Sequence, residues 1–175
     1  MVGRRERGFS LIELAVVVCA IGILAGLALE RLLPLIGSAE RVAFLQVQGE
    51  LQSALLLEAA DRIAHSRGAE LAALTDTNPM ALLLKPPSNY AGEIELAQAG
   101  DVPGNTWYYD AARHLLVYRI GRYTRFERLA GPRDRIEFRV SFVYRDRDGD
   151  RVFEPADDDF DGLRLDTVYA YRWAE

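Results

Sequence analysis

Residues 9–29 form a run of 21 residues that is apolar except for Ser10 and Glu13, and no other feature constrains the chain as much. At about 1.5 Å per residue, a helix of that length reaches roughly 31 Å, the thickness of a bilayer's hydrocarbon core. Arg4, Arg5 and Arg7 precede it against Glu6 alone. Such a basic flank holds the N-terminal end of a span in the cytoplasm. Beyond the run, Glu30 and Glu40 match Arg31 and Arg41, so no opposing bias exists. The expectation is a single pass with the C-terminal part outside the cytoplasm. A cleavable secretory signal competes with it, but the run is long for a signal, and Ala28-Leu29-Glu30 makes a poor cleavage site. A plain anchor explains length and orientation but leaves Glu13 unexplained. A carboxylate costs about 2.5–3.5 kcal/mol at mid-membrane on insertion scales, and less near the edge.

The rest of the chain is ordinary. Its 175 residues suit one domain, with half of them hydrophobic, a net charge of −5 and one cysteine. That apolar share excludes a disordered chain, and the lone cysteine excludes a disulfide scaffold. The acidic balance argues against a nucleic-acid or anionic-surface binder. Lys85 is the only lysine among 21 basic residues, an arginine bias read as genomic rather than functional.

The segment Arg7-Gly8-Phe9-Ser10-Leu11-Ile12-Glu13-Leu14 resembles the N-terminal motif of type IV pilins and of type II secretion pseudopilins. The resemblance covers about the first third of the chain. It implies cleavage between Gly8 and Phe9 by a prepilin peptidase of the bacterial inner membrane, and methylation of the new Phe9 amine. It implies a leader of residues 1–8, a membrane and filament-core helix of residues 9–29, and a periplasmic pilin-like domain of residues 30–175. The implied partners are other pilins or pseudopilins, the inner-membrane assembly platform and, before assembly, inner-membrane lipid; in a pilus the subunit becomes extracellular. Glu13 would pair with the Phe9 amine of a neighbouring subunit, which neutralises two membrane costs at once. Gly22 and Gly26 are small helix-interface positions, a pattern equally common without specificity. Cys19 reads as a small hydrophobe. Many pilins close their C-terminal region with a disulfide; this chain has no second cysteine, which weakens the major-pilin reading.

Past the run, Pro34 and Gly37 are expected to interrupt the helix. It resumes with an apolar stripe at Phe44, Val47, Leu51, Leu55, Ala59 and Ile63, ends near Ala64, and finds a stop at Arg67-Gly68. Thr77-Asn78-Pro79 reads as the start of a short helix through Leu84. Strands are expected at 93–97, 106–110 and 115–120, with a hairpin loop at 110–114. Residues 136–144 alternate as a half-buried antiparallel strand, in which Val143 breaks the polar face, and 166–173 repeats the habit. The expected fold is α+β: a long N-terminal helix, half membrane and half amphipathic, packed on a C-terminal antiparallel sheet as in pilins.

Enzyme motifs are scarce, and His65 and His114 read as surface or capping residues. The strongest local feature is the acidic stretch 146–161. With Asp146 as one, Asp148, Asp150, Glu154 and Asp157 fall at three, five, nine and twelve, and the Val152 carbonyl at seven, the oxygen spacing of an EF-hand-type calcium loop. Arg151 sits at six, where glycine is usual. A second register uses Asp157, Asp159 and Asp161. The alternative is a solvated acidic turn. Arg119, Arg122, Arg125, Arg128, Arg133, Arg135 and Arg139, interleaved with Tyr118, Tyr123 and Phe126, form a basic segment. This is the pattern of a single-stranded DNA groove and equally of a solvated strand face.

The reading is therefore a structural, non-enzymatic filament subunit, a pseudopilin or minor pilin of a type II secretion or type IV pilus machine, with calcium as a candidate cofactor. A DNA-uptake pilin is the first alternative, although nucleic acid is disfavoured. A signal-anchored periplasmic calcium-binding domain is the second.

Overall fold

The computed structural model describes residues 10–95, 100–122, 124, 126–154 and 156–173. One helix, α1 (Leu11–Ala64), dominates the chain. It runs without interruption through position 34 and Gly37, contrary to the expected break. A proline inside a helix removes a backbone bond and bends the axis, but the flanking turns keep theirs. The helix ends where Ser66 turns left-handed (φ 58°). There Ser66 N–H donates to the Ile63 carbonyl and Arg67 N–H to that of Arg62, the paired bonds of a Schellman stop.

Three short 3-10 turns follow, at Gly68–Glu70, Ala72–Asp76 and Pro79–Leu82. The last replaces the short helix expected through Leu84. Asn78 caps it by accepting the Met80 N–H at 3.0 Å, with Pro79 at its first position.

Among the described residues, seven strands complete the fold: β1 (Tyr90–Glu93), β2 (Thr106–Asp110), β3 (Leu115–Arg119), β4 (Phe126–Arg128), β5 (Arg135–Arg145), β6 (Asp159–Thr167) and β7 (Tyr171–Trp173). The main sheet has the order β1-β2-β3-β5-β6, and β4 pairs with β7 in a separate ribbon. The β2–β3 and β3–β5 pairs follow the expected antiparallel meander. Three expectations need correction. The first strand lies at Tyr90–Glu93 rather than 93–97, of which 96 and 97 lie outside the described residues, and it pairs parallel to β2. The expected strand 166–173 is two strands in two sheets. Third, β4 falls inside what read as a connecting basic segment. Opposite Val143 and Tyr144, β6 carries an extra residue at Asp161, and Gly162 (φ 140°) supplies the backbone freedom for that bulge.

The apolar stripe of α1 forms the core as the periodicity requires. Phe44, Val47, Leu51, Leu55 and Ala59 are buried against Trp107, Leu116, Tyr118, Phe138 and Leu163 of the sheet. Phe44 stacks on Trp107 with centroids 5.3 Å apart, meets Tyr118 at 4.9 Å and Phe138 at 5.9 Å, and touches Trp173 of the ribbon at 5.1 Å. The other face of the sheet carries a smaller cluster, in which Val102 covers Tyr108, Leu115 and Val117. At the β6 edge, Gln52 Nε2 donates to the Leu163 carbonyl at 2.7 Å while its Oε1 accepts the Leu165 N–H at 3.0 Å. One helix side chain thus serves edge groups that would otherwise face solvent.

Phe44→Ala should lower stability by about 3–5 kcal/mol, the usual loss for a buried aromatic ring. Thermal melting of the full chain in detergent should show a fall of roughly 6–20 °C. A change of a degree or less would mean that the helix is not anchored through this ring.

Candidate functional site

Residues 11–32 of α1 are all exposed. Ser10 caps it, accepting the Ile12 N–H at 3.3 Å, and Glu13 lies in the first turn, where the helix dipole favours a carboxylate. Leu11, Ile12, Val16, Ile21 and Leu24 are all exposed. An apolar helix of this length near the N-terminus, bare on every side, fits membrane anchoring. Gly8 and Phe9, the expected cleavage pair, lie outside the described residues.

The same exposure continues up the helix. At about 100° per residue, the face opposite the core stripe carries Leu35, Val42, Leu45, Gly49, Ser53, Leu56 and Ala60, all exposed. Every charged residue between 32 and 64 falls off this stripe, which is roughly 120° wide. Val42 is 66% exposed and Leu56 49%.

The acidic stretch divides differently from its sequence reading. It is a loop only as far as Asp158, because Asp159 and Asp161 lie on β6. There Asp159 pairs with Arg147 at 2.7 Å, and Arg145 reaches Asp159 at 3.7 Å and Asp161 at 4.0 Å. The second register therefore places its last two carboxylates on a strand beside arginines. In the loop, carboxylate oxygens of Asp146, Asp148 and Asp158 lie within 4.8 Å of one another. Asp146 and Asp148 are expected ligands and Asp158 is not; Asp150, Glu154 and Asp157 lie outside this group. Asp158 is held inward because it accepts the N–H groups of Arg147 and Glu154, each at 3.0 Å. The Asp150 carboxylate accepts the Val152 N–H at 2.7 Å. Gly149 (φ 84°) and Arg151 (φ 66°) are both left-handed. Arg151 thus adopts, at a strain cost, the backbone that glycine supplies at the sixth position of a calcium loop. Phe153 anchors the loop against Phe142 at 4.8 Å and Tyr144 at 5.5 Å.

The charges in this loop repel. The Gly149 N–H bonded to Asp146 holds that carboxyl below the usual range. The Asp150 N–H pulls Asp148 down, but partial desolvation and the charges of Asp150 and Asp146 outweigh it, so its pKa is raised. Asp150 and Asp157 push Glu154 up in the same way. A bound cation would relieve this repulsion.

Among its described residues, the basic segment forms no stacking platform. Tyr118 is buried, and Phe126 packs on Tyr171 at 5.7 Å. Arg119 donates to the Gly100 and Val102 carbonyls and pairs with Asp134 at 3.6 Å. Arg135 and Arg113 converge on the buried Glu137 at 2.8 and 3.0 Å. Arg122, Arg133 and Arg139 remain exposed, Tyr123 and Arg125 lie outside the described residues, and Arg128 belongs to β4. The two histidines hold local backbone: His65 Nδ1 lies 2.9 Å from the Asp61 carbonyl and His114 Nδ1 3.0 Å from that of Asp76.

Besides Asp158, the sequence reading assigned no structural role to Glu40. Glu40 is buried and accepts hydrogen bonds from Tyr118 Oη and Gly121 N–H, each at 2.7 Å, and from Thr124 Oγ1. Burial and this carboxylate push the Tyr118 hydroxyl well up. The signal was present, since Glu40 lies one turn before Phe44 on the core stripe.

Residues 3–29 match the family described as the prokaryotic N-terminal methylation motif. No curated protein and no solved structure matches the chain. The family match supports a type IV pilin-like chain with a structural, processed N-terminus, without separating pilin from pseudopilin.

Proposed function

We propose that this chain is a structural subunit, a pseudopilin or minor pilin, of a type II secretion or type IV pilus filament. The observation that carries this reading is the uncharged stripe of α1. A helix that only anchored a domain would need no apolar outer face beyond the bilayer, yet here that face extends to residue 64. Neighbouring helices of a filament core are the cover that fits such a stripe, which begins beyond Arg31, a charge on the same face between the span and Leu35. In this reading residues 1–8 are a leader, 9–29 span the inner membrane before assembly, and 30–175 form a periplasmic domain. Prepilin peptidase cuts between Gly8 and Phe9 and the Phe9 amine is methylated. Glu13 pairs with the Phe9 amine of the next subunit and sets register. The assembly platform then lifts subunits out of the membrane, and the growing filament pushes. A DNA-uptake role loses ground because Tyr118 and Phe126 of the basic segment pack inward.

Calcium at the acidic loop is a further part of this proposal. The convergence of three carboxylates supports it, as does the hard oxygen donor set. Asp146, Asp148 and Asp158 would hold the ion, which would offset the repulsion among the loop's carboxylates and tie β5 to β6.

Intact-mass analysis of protein from a host with an active prepilin peptidase should give a chain starting at Phe9, 175 − 8 = 167 residues long, plus one methyl group. A retained leader, or a soluble product, would sink the processing scheme. Glu13→Val should be inserted and cleaved normally but enter filaments at least tenfold less. Wild-type incorporation would remove the proposed Phe9–Glu13 pair.

The full chain in detergent should melt higher in calcium than in chelator. At a hundredfold excess over Kd the gain is about 2.7 kcal/mol, or roughly 5–11 °C. Asp148→Asn should abolish the difference and Asp157→Asn should leave it. Equal melting of the wild type in both buffers would reduce the loop to a solvated turn.

A further inference from the structure

Glu40 is buried, yet no basic side chain among the described residues forms an ion pair with it. Its hydrogen-bond donors, from Tyr118, Gly121 and Thr124, are all neutral. Neutral donors offset part of the cost of burying a charge, and an opposite charge offsets more. The carboxylate stands in the wall of a cavity of about 620 Å³ on the flank of α1, whose other walls include Ile36, Ala39, Ala43, Gly104 and Arg122. Two glycines shape it. A Cβ on Gly121 would overlap a Glu40 carboxylate oxygen, and one on Gly104 would meet the Ile120 carbonyl at 2.9 Å. Arg122 is exposed and forms no ion pair with a described residue. The cavity therefore presents one anion and one cation, neither of them neutralised by a described residue.

Its place on the helix points to the membrane. At 1.5 Å per residue, Ile36 lies about 10 Å beyond Leu29, the last residue of the apolar run, and the headgroup layer of a bilayer is roughly 5–8 Å deep. At about 100° per residue, Leu29, Leu32, Ile36, Ala39 and Ala43 share one flank, all of them exposed, while Glu30 and Arg31 fall off it. An apolar track thus leads from the span to the cavity, beside the stripe of Leu35, Val42 and Leu45 rather than on it. We infer that the cavity holds the headgroup of an ethanolamine phospholipid of the adjoining leaflet. The ammonium meets Glu40, whose two oxygens offer about four lone-pair sites and spend three on the neutral donors. The phosphate meets Arg122, and the acyl chains follow Leu29 and Leu32. A choline headgroup has no N–H to donate, and a glycerol headgroup brings no cation to Glu40. The inference rests on the membrane-anchored state of the proposed subunit and adds a ligand to it. A lipid held in this way ties the domain to the leaflet, and lifting the subunit into a filament requires its release.

The test uses the full chain in bilayers of equal parts phosphatidylethanolamine, phosphatidylcholine and phosphatidylglycerol, followed by native mass spectrometry of the released protein. The chain should retain phosphatidylethanolamine severalfold more often than either other lipid. Arg122→Glu repels the phosphate and Ala39→Phe fills the cavity. Both positions are exposed, so each change should lower the preference severalfold with melting unchanged. Glu40→Gln should abolish the preference, and because it also alters a buried group, the two exposed variants keep the test independent of folding. Glycerophosphoethanolamine, the same headgroup without acyl chains, should fail to displace the lipid at millimolar concentration. Displacement would make the occupant a soluble zwitterion and overturn the lipid assignment. Equal retention of the three lipids, or a preference indifferent to Arg122→Glu and Ala39→Phe, would overturn the site itself while leaving the filament reading intact. A chain that does not enter the bilayer at all would overturn the membrane anchor, and this inference with it.

Discussion

Phe44 is where the helix and the sheet become one body. Its ring stacks on Trp107, meets Tyr118 and Phe138, and reaches Tyr171 and Trp173 of the separate ribbon. Aromatic pairs at these separations add to the burial of their apolar area. The contact fixes three things together. It sets which face of α1 turns inward, it draws the β4–β7 ribbon against the main sheet, and by exclusion it fixes the face left outside. The uncharged stripe of Val42, Leu45 and Leu56 is a consequence of that choice of face, since one helix cannot hide both sides against a single sheet.

The sheet's edges show how association is restricted. An open edge strand offers unpaired backbone groups to any neighbour. At β6, Gln52 occupies the groups of Leu163 and Leu165 with its own amide. Charge covers the same strand further along, where Asp159 and Asp161 meet Arg145 and Arg147. With that edge blunted, indiscriminate strand pairing is suppressed. Association is left to side-chain surfaces, which carry specificity.

The helix was legible in the sequence because its signals are periodic and local. Phe44, Val47, Leu51 and Leu55 recur at the helical period, and their burial follows. The same reasoning explains where the reading strayed. Carboxylates at 157, 159 and 161 alternate with period two, the spacing of loop ligands and also of one face of a strand. The bulge at Asp161–Gly162 and the arginines opposite decide for the strand. Asp158 joins the loop's carboxylates through two backbone N–H groups, and no count along the chain can reveal that. The first strand shifted because its partner is the parallel β2, whose register is set by Trp107 and Tyr109 rather than by alternation in residues 93–97. Pro34 read as a break because proline is costly in a helix interior, about 3 kcal/mol. Continuity won because the helix continues for many turns on both sides.

A subunit that transmits force along its helix needs more than one attachment between helix and domain. Here the attachments are spread from Glu40 to Ala59, about 28 Å of helix at 1.5 Å per residue. They differ in kind. Glu40 holds the β3–β4 connection by hydrogen bonds from Tyr118, Gly121 and Thr124, Phe44 packs aromatic rings, Gln52 grips the β6 backbone, and Leu51, Leu55 and Ala59 bury aliphatic surface. A pull along the axis loads these contacts in shear and together. Peeling the domain from its end would break them one at a time, and at the membrane-proximal end the first to yield would be Glu40, a buried carboxylate. Removing its partners would strand a charge in a low-dielectric site, which costs more than an ordinary hydrogen bond. In the proposed filament subunit, a force entering along α1 would therefore meet the hydrogen bonds of Glu40 first.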